Sequence, residues 1–126
     1  MTSGTLLLRQ VHPSWVQQGR ATSQVFKPTP KDEKRLSVYD GDQVSAERAW
    51  HHYTDLLGHA SMGVMAVTVG ECQRQGLPVA ADPTPFPEHV LIDFTGLAEN
   101  PINRKAKQLK AMAEARGWQF LAEGSP

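Results

Sequence analysis

The chain has 126 residues and is 40% hydrophobic, enough for one domain with one core and no staples. Thirteen Lys and Arg offset thirteen Asp and Glu, for a formal net charge of zero. That balance speaks against a broad electrostatic binder of nucleic acid or anionic membrane. The single cysteine, Cys72, excludes an intrachain disulfide and any multi-cysteine zinc or iron–sulfur site, and suits a reducing compartment.

Residues 1–126 read as one domain, with 1–4 and 123–126 expected to fray. Leu6-Leu7-Leu8 is too short for a signal peptide, and the apolar run from Val64 to Val69 is too short to span a bilayer. A cytoplasmic chain is the expectation. Thr5–Val11 is apolar and stopped by Pro13, so it predicts a first strand ending near His12. Ser14–Gly19 reads as a turn packed by Trp15. Ala21–Lys27, with Thr22, Val25 and Phe26, reads as a strand. Pro28-Thr29-Pro30 breaks regular structure, and the mixed-charge run 31–35 reads as a solvated turn. Leu36–Tyr39 alternates as a strand, and Asp40-Gly41-Asp42 has turn chemistry.

Ser45 is an N-cap type with Glu47 in the following turn. Ala46, Ala49, Trp50, Tyr53, Leu56 and Leu57 then share one helical face, and Gly58 suits a left-handed terminus. Gly63–Thr68 is a continuous apolar run, the pattern of a strand covered on both faces. Thr68 and Glu71 have capping-box spacing before a short helix ending at Gly76. Leu77–Ala81 suits an edge strand, since Pro78 lacks a donor. The proline-rich 82–87 stretch is a rigid loop around Phe86, and His89–Phe94 is a second buried strand. Asn100, Pro101 and Gly117 bracket a last helix, with Ile102, Ala106, Leu109 and Ala113 on its inner face. Trp118–Leu121 reads as a final strand, placed parallel to His89–Phe94 by a crossover. The pattern predicts an α+β (mixed α/β) fold: one twisted mixed sheet, two main helices and one short helix, with the two apolar runs as central strands.

Four groups of residues carry possible chemistry. His51 and Asp55 lie one helical turn apart beside Arg48 and His52, with His59 close behind. Such a set can orient an imidazole or hold a divalent metal, but the plainer reading is a solvated helix face; no metal site is assigned. Arg9, His12, Arg20 and Ser23, with Thr22 and Lys27, supply guanidiniums, an imidazole and hydroxyls suited to a phosphate. The alternative is polar decoration of strand edges. Cys72 follows a helix start beside Glu71, whose charge opposes a thiolate, so a structural cysteine is expected. Arg104, Lys107 and Lys110 form a basic helix face, and Phe86 is an aromatic in a stiff loop; both suit a protein partner as well as a solvated face and a core contact.

No nucleotide-binding glycine fingerprint, nucleophile elbow or nucleic-acid-binding motif occurs. The expectation is a small protein-interaction module, an accessory, antitoxin-like or immunity-like subunit with no cofactor, meeting another protein, an acidic one by charge, through Phe86, Arg104, Lys107 and Lys110. Homodimerisation through an edge strand or the Phe86 loop is a third reading. The alternative is a small enzyme for a phosphate-bearing or nucleotide-like substrate, with His12 as acid or base and Arg9 and Arg20 as clamps.

Overall fold

In a computed structural model, which describes residues 1–29 and 33–122, apolar strands stack into a six-stranded antiparallel sheet. Pro28 and Thr29 lie outside helix and strand, as expected; Pro30, part of the charged turn at 31–35 and the fraying at 123–126 lie outside the described residues. In chain order the sheet strands are β1 (Leu6–Val11), β4 (Arg35–Asp40), β5 (Gly63–Thr68), β6 (Val79–Ala81), β7 (His89–Asp93) and β8 (Phe120–Leu121). A separate hairpin, β2 (Val16–Gln17) and β3 (Arg20–Ala21), follows β1. The helices are α1 (Ala46–His51), α2 (Val69–Arg74) and α3 (Glu99–Arg116). No helix among the described residues is long and apolar enough to cross a membrane.

The α+β class, with two main helices and one short one, is as the sequence predicts. The sheet order is β6-β7-β4-β1-β5-β8 with every pairing antiparallel. The expected parallel return of the last strand does not occur. β8 pairs with β5, through Gly63↔Leu121 and Val64↔Phe120, at the opposite edge from β7. The apolar runs β5 and β7 are interior strands, but β4 and β1 hold the centre.

Alternation sorts the side chains onto two covered faces. On one face Leu7, Leu36, Val38, Met65, Val67 and Ile92 meet α3 through Ile102, Ala106, Leu109 and Ala113. On the other, Leu8, Tyr39, Val64 and Ala66 meet Ala49 and Trp50 of α1. The sheet is therefore the middle of three layers.

Three local expectations are corrected. Residues 23–26 form a 3₁₀ turn, not part of a strand. Val25 and Phe26 are consecutive, yet both are fully buried in the same core, which a two-residue alternation cannot provide. The hairpin before it turns through Gln18 and Gly19, both at positive φ, the conformation that suits a two-residue connection. α3 starts at Glu99 with Ala98 as N-cap, not at Asn100. Pro101 still lies in the first turn, where its missing N–H leaves no bond unmade. Finally, α1 widens into a π-helical turn over His52–Leu56, closed by Leu57 N–H to His52 O at 3.1 Å. The wider turn rotates the following residues about the axis, so Leu56, expected on the core face, is 77% exposed.

The Thr68 capping box forms as expected: Glu71 N–H donates to Thr68 Oγ1 at 3.1 Å and Thr68 N–H to Glu71 Oε1 at 2.8 Å. Arg116 at the end of α3 grips both Glu71 oxygens, at 3.0 and 2.9 Å, and donates to Ala66 O at 2.9 Å. One carboxylate thus ties α2, β5 and α3 together. Burial pushes the Glu71 pKa up, but the hydrogen bonds from Arg116 and Thr68 outweigh it and hold it below the usual carboxylate value.

Because the folded-state pKa is depressed, the stabilisation from Glu71 is complete above the unfolded-state pKa of about 4.3 and is lost as pH falls through the lower folded-state value. Glu71→Gln should therefore lower the melting temperature at pH 7, and the gap from wild type should close in thermal melts taken progressively below pH 4. A second test concerns Gly41, whose N–H donates to Leu6 O at 2.8 Å. A Cβ there would lie 2.6 Å from that oxygen, so Gly41→Ala should cost about 1–3 kcal/mol in urea unfolding.

Candidate functional site

β1 and β4 are neighbours for only part of their length. Their register pairs Leu7 with Asp40 and Leu8 with Tyr39, and Gly41 N–H to Leu6 O closes that end. Beyond Leu8, β1 continues against β5 as far as Val11↔Gly63, while β4 continues against β7 as far as Arg35↔Asp93. The sheet forks between its two central strands.

Arg9 occupies the fork. It is 9% exposed; its Nε donates to Val25 O at 2.7 Å and its Nη1 to Ser37 O at 3.0 Å. Its guanidinium lies 5.1 Å from the Trp15 ring centroid, within cation–π range. The side chain thus replaces part of the missing ladder, joining β1 to β4 and to the 3₁₀ turn.

Over the fork lies a cleft of about 470 Å³, a size that suits small organic molecules. Its lining draws on both faces of the sheet, which only an open sheet permits: Arg9, Trp15 and Val38 from one, Gln10, Ser37 and Tyr39 from the other. Tyr53 and Leu57 reach it from the π-helical turn and its end, and Phe86 from the proline-rich loop. Phe86 stacks on Tyr39, with ring centroids 4.9 Å apart and planes at 27°, and meets His52 and His89 edge-on at 4.6 and 5.1 Å.

Polar groups punctuate this aromatic wall. Buried His89 has both nitrogens engaged, Nδ1 with Asp82 O and Nε2 with Ser37 Oγ, each at 3.0 Å. The Tyr39 hydroxyl and His52 Nδ1 share a hydrogen bond of 2.8 Å. Burial, with Tyr53 and Glu88 nearby, raises the Tyr39 pKa well above that of an ordinary phenol, so the hydroxyl keeps its proton at neutral pH. Gln10 is 5% exposed and accepts from Ser61 Oγ at 2.7 Å through Oε1. Its Nε2 is buried and has no hydrogen-bond partner among the described residues.

Of the residues proposed from sequence, Arg9, His59 and Phe86 line the cleft. Phe86 is half-buried and turned onto Tyr39. His12 caps the 3₁₀ turn Pro13–Trp15, its Nδ1 accepting from Ser14 N–H at 3.0 Å. Arg20 is held by Glu114 at 2.9 Å on the α3 side, and Ser23 opens the second 3₁₀ turn. Arg9, His12, Arg20 and Ser23 therefore do not converge into one phosphate clamp. His51 pairs with Asp55 at 2.9 Å and lies near Glu47 at 3.9 Å on the exposed side of α1, whereas His52 turns inward to Tyr39. No group of three His, Cys, Asp or Glu among the described residues is placed to hold a metal ion. Arg104 and Lys107 are exposed on α3, and Lys110 lies 3.4 Å from Glu114.

Sequence reasoning missed Gln10, Ser37, Tyr39, Tyr53 and His89 as one surface. The available signal was Arg9-Gln10 itself, two polar residues together inside an apolar strand. No family model matches this chain, and no curated protein or solved structure is similar to it.

Arg9→Met keeps much of the side-chain volume but leaves the Val25 and Ser37 carbonyls without that donor. A buried unmade acceptor costs about 1–3 kcal/mol, so chemical denaturation should show a loss of about 2–4 kcal/mol.

Proposed function

We propose that this chain binds a small organic molecule in the cleft where β1 parts from β4. The observation that carries this reading is the cleft itself, about 470 Å³ and walled by Trp15, Tyr39, Tyr53 and Phe86; concave, mostly apolar sites with a few polar groups are where small molecules bind. Two further features support it. The π-helical turn that brings in Tyr53 is a departure from regular helix of the kind found often at functional sites. The proline-rich loop holds Phe86 as a stiff wall of the same cleft, with little entropy to lose on binding.

A second reading, the protein-interaction module, is favoured by one specific feature. Arg104 and Lys107 stand exposed on α3 with no hydrogen bond or ion pair among the described residues. In that reading an acidic protein meets α3, as part of an accessory or immunity-like assembly in the cytoplasm. Cys72 suits a reducing compartment in either case: burial, then the Glu71 charge, pushes its thiol up to about 12, so it stays unreactive.

The two readings separate in a fragment screen followed by amide resonance shifts. The cleft reading expects aromatic fragments to move the Gln10 side-chain amide and the backbone signals of Tyr39 and Phe86. Fragments that leave all of these unmoved, together with acidic-peptide shifts confined to Arg104 and Lys107, would overturn it in favour of the interaction module.

A further inference from the structure

We infer that Ser37 is a nucleophile for acyl transfer, activated by His89, and that its substrates are carboxylic esters of aromatic alcohols, an inference that rests on the cleft-binding reading above. The register pairs Tyr39 with His89 and Ser37 with Leu91, so Ser37 and His89 are diagonal neighbours on one face of the sheet. Both line the cleft, Ser37 exposed and His89 buried. Ser37 Oγ lies 3.0 Å from His89 Nε2. His89 Nδ1 lies 3.0 Å from Asp82 O and 3.4 Å from Asp82 Oδ2. A main-chain carbonyl can only accept. In the neutral ring Nδ1 therefore carries the proton, Nε2 is bare, and the Ser37 hydroxyl donates to it. This is the order that activates a serine: hydroxyl, base, and a third group that orients the base.

The rings of Tyr39, Tyr53 and Phe86 in the same cleft suit an aromatic leaving group. Ser37 Oγ bonds to the acyl carbon while its proton passes to His89 Nε2. The bond from that carbon to the alcohol oxygen then breaks, and Nε2 returns the proton to the departing alcohol. In the second half, water bonds to the acyl carbon and gives a proton to Nε2. The acyl–Oγ bond breaks, Nε2 returns that proton to Ser37, and the acid leaves. The Asp82 carboxylate faces the imidazolium formed on the way and is a positioning residue. Asp40 N–H donates to Glu88 O and Phe94 N–H to Lys34 O, so the even-numbered residues of β4 bond β7. Ser37 therefore turns its N–H, like its carbonyl, towards the fork. The nucleophile's own N–H can serve as an oxyanion donor. With a single such donor assigned, the leaving group must be good, which favours phenolic esters over amides.

The test uses the full chain with p-nitrophenyl acetate as substrate and phenylmethanesulfonyl fluoride as label, whose fluoride leaves when a serine attacks its sulfur. Wild type should turn over the ester and carry an adduct that mass spectrometry maps to Ser37. Ser37→Ala should lose that adduct and about 100-fold or more of the rate. Asp82→Asn keeps the main-chain acceptor, so kcat should fall with KM unchanged. A shift in KM and melting temperature with kcat unchanged overturns the positioning role of Asp82. Equal hydrolysis by wild type and Ser37→Ala, an adduct on another residue, or a wild type inert to both probes overturns the nucleophile inference. Titration of wild type with phenol by nuclear magnetic resonance separates this from the cleft-binding reading. Shifts at Tyr39 and Phe86 leave the cleft as a binding site, and no shifts there overturn that reading as well. Should Ser37→Ala not fold, the adduct map on wild type decides alone.

Discussion

A guanidinium cannot be sealed inside an apolar sheet unless its hydrogen bonds are supplied there, and Arg9 is a guanidinium on a central strand. The residue is 9% exposed, so protein groups must supply most of its bonding. Two main-chain carbonyls, Val25 O and Ser37 O, are among its partners. For Ser37 O to reach the guanidinium, β4 must stand away from β1 at that level. The strands accordingly pair at Leu7 and Leu8 and part at Arg9. One side chain in the wrong chemical class for its strand sets the geometry of the middle of the molecule.

Much of the surrounding architecture follows as accommodation of that fork. The 3₁₀ turn brings Val25 O to Arg9 and buries Val25 and Phe26 against α3's side of the sheet. On the opposite face α1 widens at His52 and delivers Tyr53 and Leu57 to the opening. The proline-rich loop folds Phe86 onto Tyr39 and His89. The fork is thereby roofed with aromatic rings but not filled. The unmade Gln10 amide lies at its margin.

The apolar skeleton was legible from sequence because it obeys period and capping rules. Gly63–Thr68 is buried almost throughout as its unbroken apolar run requires, and Thr68 and Glu71 cap α2 at the expected spacing. The inner face of α3 is the one its periodicity marks. What was not legible is long-range or irregular. Strand order is set by which faces meet, so β1 and β4 took the centre although β5 and β7 read as more apolar. Val25 and Phe26 look like strand residues by composition, yet tertiary burial folds them as a 3₁₀ turn. The π-helical turn leaves no local trace and moved Leu56 to solvent. The cleft gathers residues from positions 9 to 89, and no spacing rule links them. Arg9 was singled out as a phosphate clamp, whereas its position shows a structural cation.

The sheet is open between β1 and β4, and the opening is a polar-edged aromatic cleft. A high-resolution crystal structure of the free chain tests it most directly. The expected result is a ladder that ends at Leu8 and Tyr39, Arg9 bonded to the Val25 and Ser37 carbonyls, and an open cleft walled by Tyr39, Tyr53 and Phe86. A ladder continuing from Arg9 to Val11 against Leu36–Val38, with Arg9 turned to solvent and the cleft closed, would contradict the account.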